Sequence, residues 1–97
     1  MDLGLSGRRA LVTASTGGIG LRIAAALARE GAEVVVNGRS ADRVAAAVER
    51  LTADGGAATG LVADAGTADG CATIIEQQPD VDILVNNLGI YTPIPID

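Results

Sequence analysis

The sequence predicts an α/β fold, a doubly wound parallel sheet of four strands in the order 3-2-1-4 with three helices. Three observations carry this. Apolar runs recur at Arg9–Thr13, Glu33–Asn37, Thr59–Ala63 and Asp82–Asn86, with starts about 25 residues apart, the length of a strand-plus-helix unit. The runs do not alternate with polar residues, so Val34-Val35-Val36 and Ile83-Leu84-Val85 read as strands buried on both faces, as in a parallel sheet. The stretches between them carry apolar residues at helical spacing and end in residues that stop helices.

The first helix opens at Ile19. Ile19, Ile23 and Leu27 form one apolar stripe, and Gly31 follows as a C′ glycine. The second is expected over Ala41–Ala53. Ser40 is its N-cap, Asp42 sits in its first turn, Val44, Val48 and Leu51 form its buried face, and Gly55-Gly56 ends it. The third runs from about Ala68 to Gln78, before Pro79, and is weakened by Gly70 and Thr73. No linker or low-complexity tract divides the chain, so residues 1–97 form one unit, with 90–97 as an extended tail. Right-handed crossovers place the first and fourth runs side by side. The chain direction across the sheet reverses there, at the point where open α/β sheets bind ligands beyond the carboxyl ends of their strands.

Composition narrows the function classes. Of 97 residues, 48% are hydrophobic, enough for a core, and the net charge is −5. That charge argues against nucleic acid and anionic membranes as partners, since both need a positive footprint. No apolar run is long enough to span a bilayer, and the opening residues lack the pattern of a signal peptide. Cys71 is the only cysteine, which excludes an internal disulfide and suits a cytoplasmic setting; its simplest reading is a small core residue. The chain has no histidine and no lysine, so neither a zinc site nor a histidine-based triad is expected, and no catalytic residue is assigned.

The candidate binding residues lie at the carboxyl ends of the strands. The first run leads into Thr13-Ala14-Ser15-Thr16-Gly17-Gly18-Ile19-Gly20. Strand, glycine-rich turn and helix together offer main-chain N–H groups and a helix N-terminus to a phosphate. Gly18, Ile19 and Gly20 supply the backbone, while Ser15 and Thr16 add hydroxyl donors. No acidic residue occupies the first helical turn. The second run ends Asn37-Gly38-Arg39-Ser40. A carboxylate about 20 residues after the glycines would bind a free ribose, but here a guanidinium and a hydroxyl stand instead. Arg39 and Ser40 therefore point to a 2′-phosphate, hence to NADP(H) over NAD(H); the alternative for Arg39 is a solvated residue at a helix start. Asp64, with Ala65 beside it, either accepts from an adenine amino group or caps the third helix. Asn86 and Asn87 end the fourth run, and Gly89 allows close approach of a ligand ring or makes a turn. Asp80 and Asp82 read as solvated, and Tyr91 as packing or a pocket wall.

These residues together resemble the amino-terminal part of a short-chain dehydrogenase/reductase. The family's Thr-Gly-x-x-x-Gly-x-Gly turn is matched by Thr13 to Gly20, with Ala14 in place of the first glycine. Its Asn-Asn-Ala-Gly is matched by Asn86-Asn87-Leu88-Gly89. Its adenine-contacting aspartate is matched by Asp64, and the arginine of its NADP-preferring members by Arg39. The resemblance implies a Rossmann-like fold and hydride transfer between a nicotinamide and a carbonyl or alcohol. It also implies that the catalytic serine, tyrosine and lysine lie after the fourth strand, on elements this chain lacks. Tyr91 has Pro95 four residues on, where the family has lysine.

The chain is thus expected to be the NADP-binding front half of such an oxidoreductase, truncated and inactive alone. Loss of a proton donor costs about 10²–10⁴-fold in rate. The alternative is a non-catalytic nucleotide-binding or interaction module. An apolar fourth strand at an open sheet edge predicts a partner there, either the missing C-terminal half or another copy in a homo-oligomer.

Overall fold

The computed structural model describes residues 6–77 and 80–85. Strand β1 (Arg9–Val12), helix α1 (Gly18–Arg29), β2 (Glu33–Gly38), α2 (Ala41–Ala53), β3 (Ala57–Val62), α3 (Ala68–Gln77) and β4 (Ile83–Val85) follow in order. The four strands form one parallel sheet in the order β3-β2-β1-β4. Val12 stands opposite both Val36 and Val85, which aligns the carboxyl ends of β2, β1 and β4.

Each sheet face has its own core. On one, α1 and α2 bury Val12, Val34 and Val36 against Ala24, Ala47 and Leu51. On the other, α3 alone packs Ile74 near Leu11, Val35 and Leu61. The buried face of α2 is Val44, Ala47 and Leu51, with Val48 only partly covered, one residue away from the predicted stripe. Val34, Val35 and Val36 are buried as expected. Leu84 is not: it is 63% exposed, because β4 is a sheet edge and one helix cannot cover the full width of that face.

Local chemistry sets the element ends. Gly31 takes φ +97° after α1, a conformation that disfavours side chains. Ser40 Oγ accepts the Arg43 N–H at 3.3 Å and starts α2. At α3 the cap is Thr67, whose Oγ1 accepts the Gly70 N–H at 3.0 Å. Gly70 is required there, since a Cβ would collide with the Asp64 carbonyl. Thr73 fits the helix by donating its hydroxyl to the Asp69 carbonyl at 3.0 Å. Cys71 is exposed rather than in the core, its Sγ 3.2 Å from the Ala65 carbonyl oxygen.

Two clasps tie the sheet together from its opposite ends. At the amino ends of β1 and β4, Asp82 accepts the Arg9 N–H at 2.9 Å and donates its own N–H to the Arg9 carbonyl at 2.8 Å. Asp82 also lies 3.9 Å from the Arg8 guanidinium, so it is a strand connector rather than a merely solvated acid. At the carboxyl ends the clasp is Asn37, 1% exposed. Its Oδ1 accepts the Ala14 N–H, and its Nδ2 donates to the Leu61 and Ala63 carbonyls, all at 3.1 Å. One side chain thereby joins the β1–α1 turn, β2 and the end of β3.

Asn37→Ala removes all three side-chain hydrogen bonds and strands their buried partners, so it should destabilise the fold by about 3 kcal/mol. Urea unfolding should show the midpoint falling with an unchanged slope. A loss below about 0.5 kcal/mol would contradict the role given to this amide.

Candidate functional site

Directly above the Asn37 clasp, the loops after β1, β2 and β3 enclose a cleft of about 1110 Å³. Its first wall is the β1–α1 turn. Ala14 occupies the left-handed region at φ +51°. An alanine there costs about 1 kcal/mol relative to glycine, and the Asn37 hydrogen bond holds it in place. The turn forms despite the methyl group.

Ser15 does not face the cleft, contrary to the sequence expectation. It is fully buried, donating its hydroxyl to the Val12 carbonyl at 2.7 Å and accepting the Asn37 N–H at 3.0 Å. Its main-chain N–H donates to the Asn37 carbonyl at 2.8 Å. With its proton engaged inside the fold, Ser15 fixes the turn and offers no donor to a ligand. Thr16 does line the cleft. It lies so close to Gly38 that a Cβ on Gly38 would stand 2.5 Å from Thr16 Cγ2. Gly38 is what allows the first and second loops to meet.

The start of α1 is bare. Gly17 is the N-cap, has no side-chain capping hydrogen bond, and no acidic residue occupies the first turn. The first intrahelical bond is Leu21 N–H to the Gly17 carbonyl at 3.2 Å. The N–H groups of Gly18, Ile19 and Gly20 precede it and have no acceptor within the helix. Gly17 and Gly18 border the cleft. Ile19, read as part of the buried stripe, is 57% exposed, because the first turn of α1 projects beyond the sheet. Gly20 is buried where the helix begins to pack.

The second wall is the β2–α2 connection. Arg39 and Ser40 line it, joined by Arg43 from the first turn of α2. Arg39 is exposed, and neither arginine has an ion-pair partner among the described residues. The Ser40 hydroxyl accepts from Arg43 and keeps its own proton to donate. The third wall is Asp64 and Ala65 after β3. Of the two readings of Asp64, helix capping gives way, since Thr67 is the cap. Asp64 Oδ1 instead accepts the Gly66 N–H at 2.9 Å, which orients the carboxylate at the rim. Asn86, Asn87, Gly89 and Tyr91 lie outside the described residues.

Thr16, Gly18, Arg39, Ser40, Asp64 and Ala65 therefore converge on one cleft from three separate loops. Sequence reasoning missed Arg43 and Asn37 as parts of this site. Helical spacing places Arg43 one turn into α2 and so near Ser40, which was a usable signal. Nothing local marked Asn37. The arrangement presents unsatisfied main-chain N–H groups and two guanidiniums in an otherwise acidic protein. Such a surface suits an anionic ligand with at least two phosphate positions.

Comparison with known proteins agrees with this geometry. A family model described as short chain dehydrogenase matches residues 8–97. An uncharacterised oxidoreductase of Bacillus subtilis is 47% identical over 95 residues, covering 96% of this chain and 36% of that protein. Gluconate 5-dehydrogenase of Gluconobacter oxydans is 44% identical over 97 residues, covering 96% of this chain and 38% of that enzyme. L-Sorbose reductase from Gluconobacter frateurii, solved with NADPH and L-sorbose, has a TM-score of 0.83 at 38% identity, over 90% of this chain and 35% of that one. The 3-oxoacyl (acyl-carrier-protein) reductase from Agrobacterium tumefaciens C58, solved with NADP bound, has a TM-score of 0.79 at 44% identity, over 87% of this chain and 34% of that one. The chain spans little more than a third of the length of these relatives. With a bare helix start beneath a three-loop cleft, a Rossmann-like sheet in the order 3-2-1-4 and a family match over nearly its whole length, the chain belongs to the short-chain dehydrogenase family.

Proposed function

We propose that this chain is the cofactor-binding portion of an NADP(H)-dependent oxidoreductase. When bound, the nicotinamide dinucleotide would supply hydride exchange with a carbonyl or alcohol. The observation that carries the reading is the uncapped, acid-free start of α1 opening onto the same cleft as Arg39. The N–H groups of Gly18, Ile19 and Gly20 hold the diphosphate, and the Thr16 hydroxyl donates beside them. Arg39 and Ser40 bind the adenosine 2′-phosphate, while Asp64 accepts from the adenine amino group next to Ala65. Asn87 and Gly89, which follow β4 in the sequence, complete the set. The bound NADPH and NADP of the two solved relatives support this choice of cofactor.

The chain itself contains no lysine, so the tyrosine–lysine pair that the family uses to deliver a proton has no counterpart in these 97 residues. The chain alone binds the cofactor and orients it without turnover. It completes its site through the β4 edge, by pairing with the remainder of a family-length domain or with a second copy. Exposed Leu84 on that edge supports the pairing, and the lone cysteine and acidic balance fit a cytoplasmic protein.

Calorimetric titration of the 97-residue chain should show NADP⁺ binding at least about tenfold more tightly than NAD⁺, the worth of a charge-assisted hydrogen-bond pair. Arg39→Asp should reverse that order, since a carboxylate repels the 2′-phosphate and accepts from a free 2′-hydroxyl. An unchanged preference would refute the assignment. Sedimentation should find the chain associated at micromolar concentration, and a stable, monodisperse monomer would contradict the pairing of β4.

A further inference from the structure

We infer that Arg43 is a second specificity-determining cation for the adenosine 2′-phosphate, acting with Arg39 across the Ser40 cap. This rests on the dinucleotide reading above. Arg43 lines the same cleft as Arg39 and Ser40, and all three lie within the five-residue passage from β2 into α2. The Arg43 N–H is the donor that the Ser40 hydroxyl captures at 3.3 Å, so the cap itself fixes where the Arg43 side chain leaves the backbone.

The electrostatic setting favours an anion between the two arginines. Arg8 and Arg9 pair with Asp82 and Glu33, whereas the other five arginines have no acidic partner among the described residues, and of those five only Arg39 and Arg43 line the cleft. Asp42, in the same helical turn, is not among the residues that line the cleft. Among the described residues, the one acid that lines it is Asp64, one of whose oxygens is held by the Gly66 N–H. A phosphate doubly charged near neutral pH has room for more than one guanidinium, and two forks approaching from different backbone positions discriminate it from a hydroxyl more sharply than one.

Two fragments isolate this contact from the rest of the cofactor: adenosine 2′,5′-bisphosphate and adenosine 5′-monophosphate. They share the base, ribose and 5′-phosphate and differ only at the 2′ position. Calorimetry on the full chain should find the bisphosphate favoured. Arg43→Gln should weaken the bisphosphate about tenfold, leave the monophosphate unchanged, and flatten the loss of bisphosphate affinity with added salt. Arg43→Lys should recover part of the loss, because it restores a charge without the planar fork. If Arg43→Gln leaves both ligands unchanged, or weakens both equally, the inference is overturned while the dinucleotide reading stands. If the unmutated chain does not distinguish the two fragments, the 2′-phosphate reading fails and the inference falls with it. A far-ultraviolet circular dichroism spectrum matching the parent's confirms that each variant is folded.

Discussion

The buried amide of Asn37 is the constraint on which the site depends. Three loops must hold their places above the sheet for the cleft to exist, and two of them are tied by this one side chain. The third, leaving β2, begins two residues beyond it at Arg39. Ser15 closes the arrangement from the other side, exchanging main-chain and hydroxyl hydrogen bonds with the Asn37 backbone. Each side-chain polar atom of Ser15 and Asn37 has a partner, which makes such a network rigid rather than costly. It also supports an alanine at positive φ in the turn, where relatives of the family pattern have glycine.

On the proposed reading, the clasp places recognition in the main chain. The N–H groups at the start of α1 are aimed by the strand–turn–helix geometry, so no acidic or basic side chain has to be positioned there. Side chains enter only at the rim, where Arg39, Arg43 and Asp64 differ in charge and reach. In a chain with net charge −5, two of the seven arginines, Arg39 and Arg43, border the cleft. The opposite end of the sheet uses its charges structurally, with Asp82 linking the first residues of β1 and β4.

Much of this was legible in the sequence. The run of three valines and the roughly even spacing of apolar runs reveal a buried parallel sheet, because both-face burial leaves no polar alternation. The bounds of α2 follow from Ser40 and the glycines after it, since cap chemistry is local. Arg39 and Thr16 were readable as neighbours of the strand ends from their offsets within the unit, and both line the cleft. What escaped depends on contacts distant in sequence. Asn37 carries no local mark at the end of its run until Ala14, Leu61 and Ala63 are brought around it. Ser15 reads as a surface hydroxyl until the turn buries it. Leu84 has the composition of a core residue, and its exposure follows only from its place at the edge. Gly70 reads as a helix weakness, whereas the approach of the Asp64 backbone requires it.

The central claim is that main-chain amides at the start of α1 receive the diphosphate. Amide-resolved NMR of the ¹⁵N-labelled chain, titrated with NADP⁺, tests it most directly. The account predicts the largest shifts at Gly18, Ile19 and Gly20, with the Ala14 amide nearly unmoved because Asn37 already holds it. Saturable shifts confined to other surfaces, with those three glycine-turn amides unchanged, would contradict it.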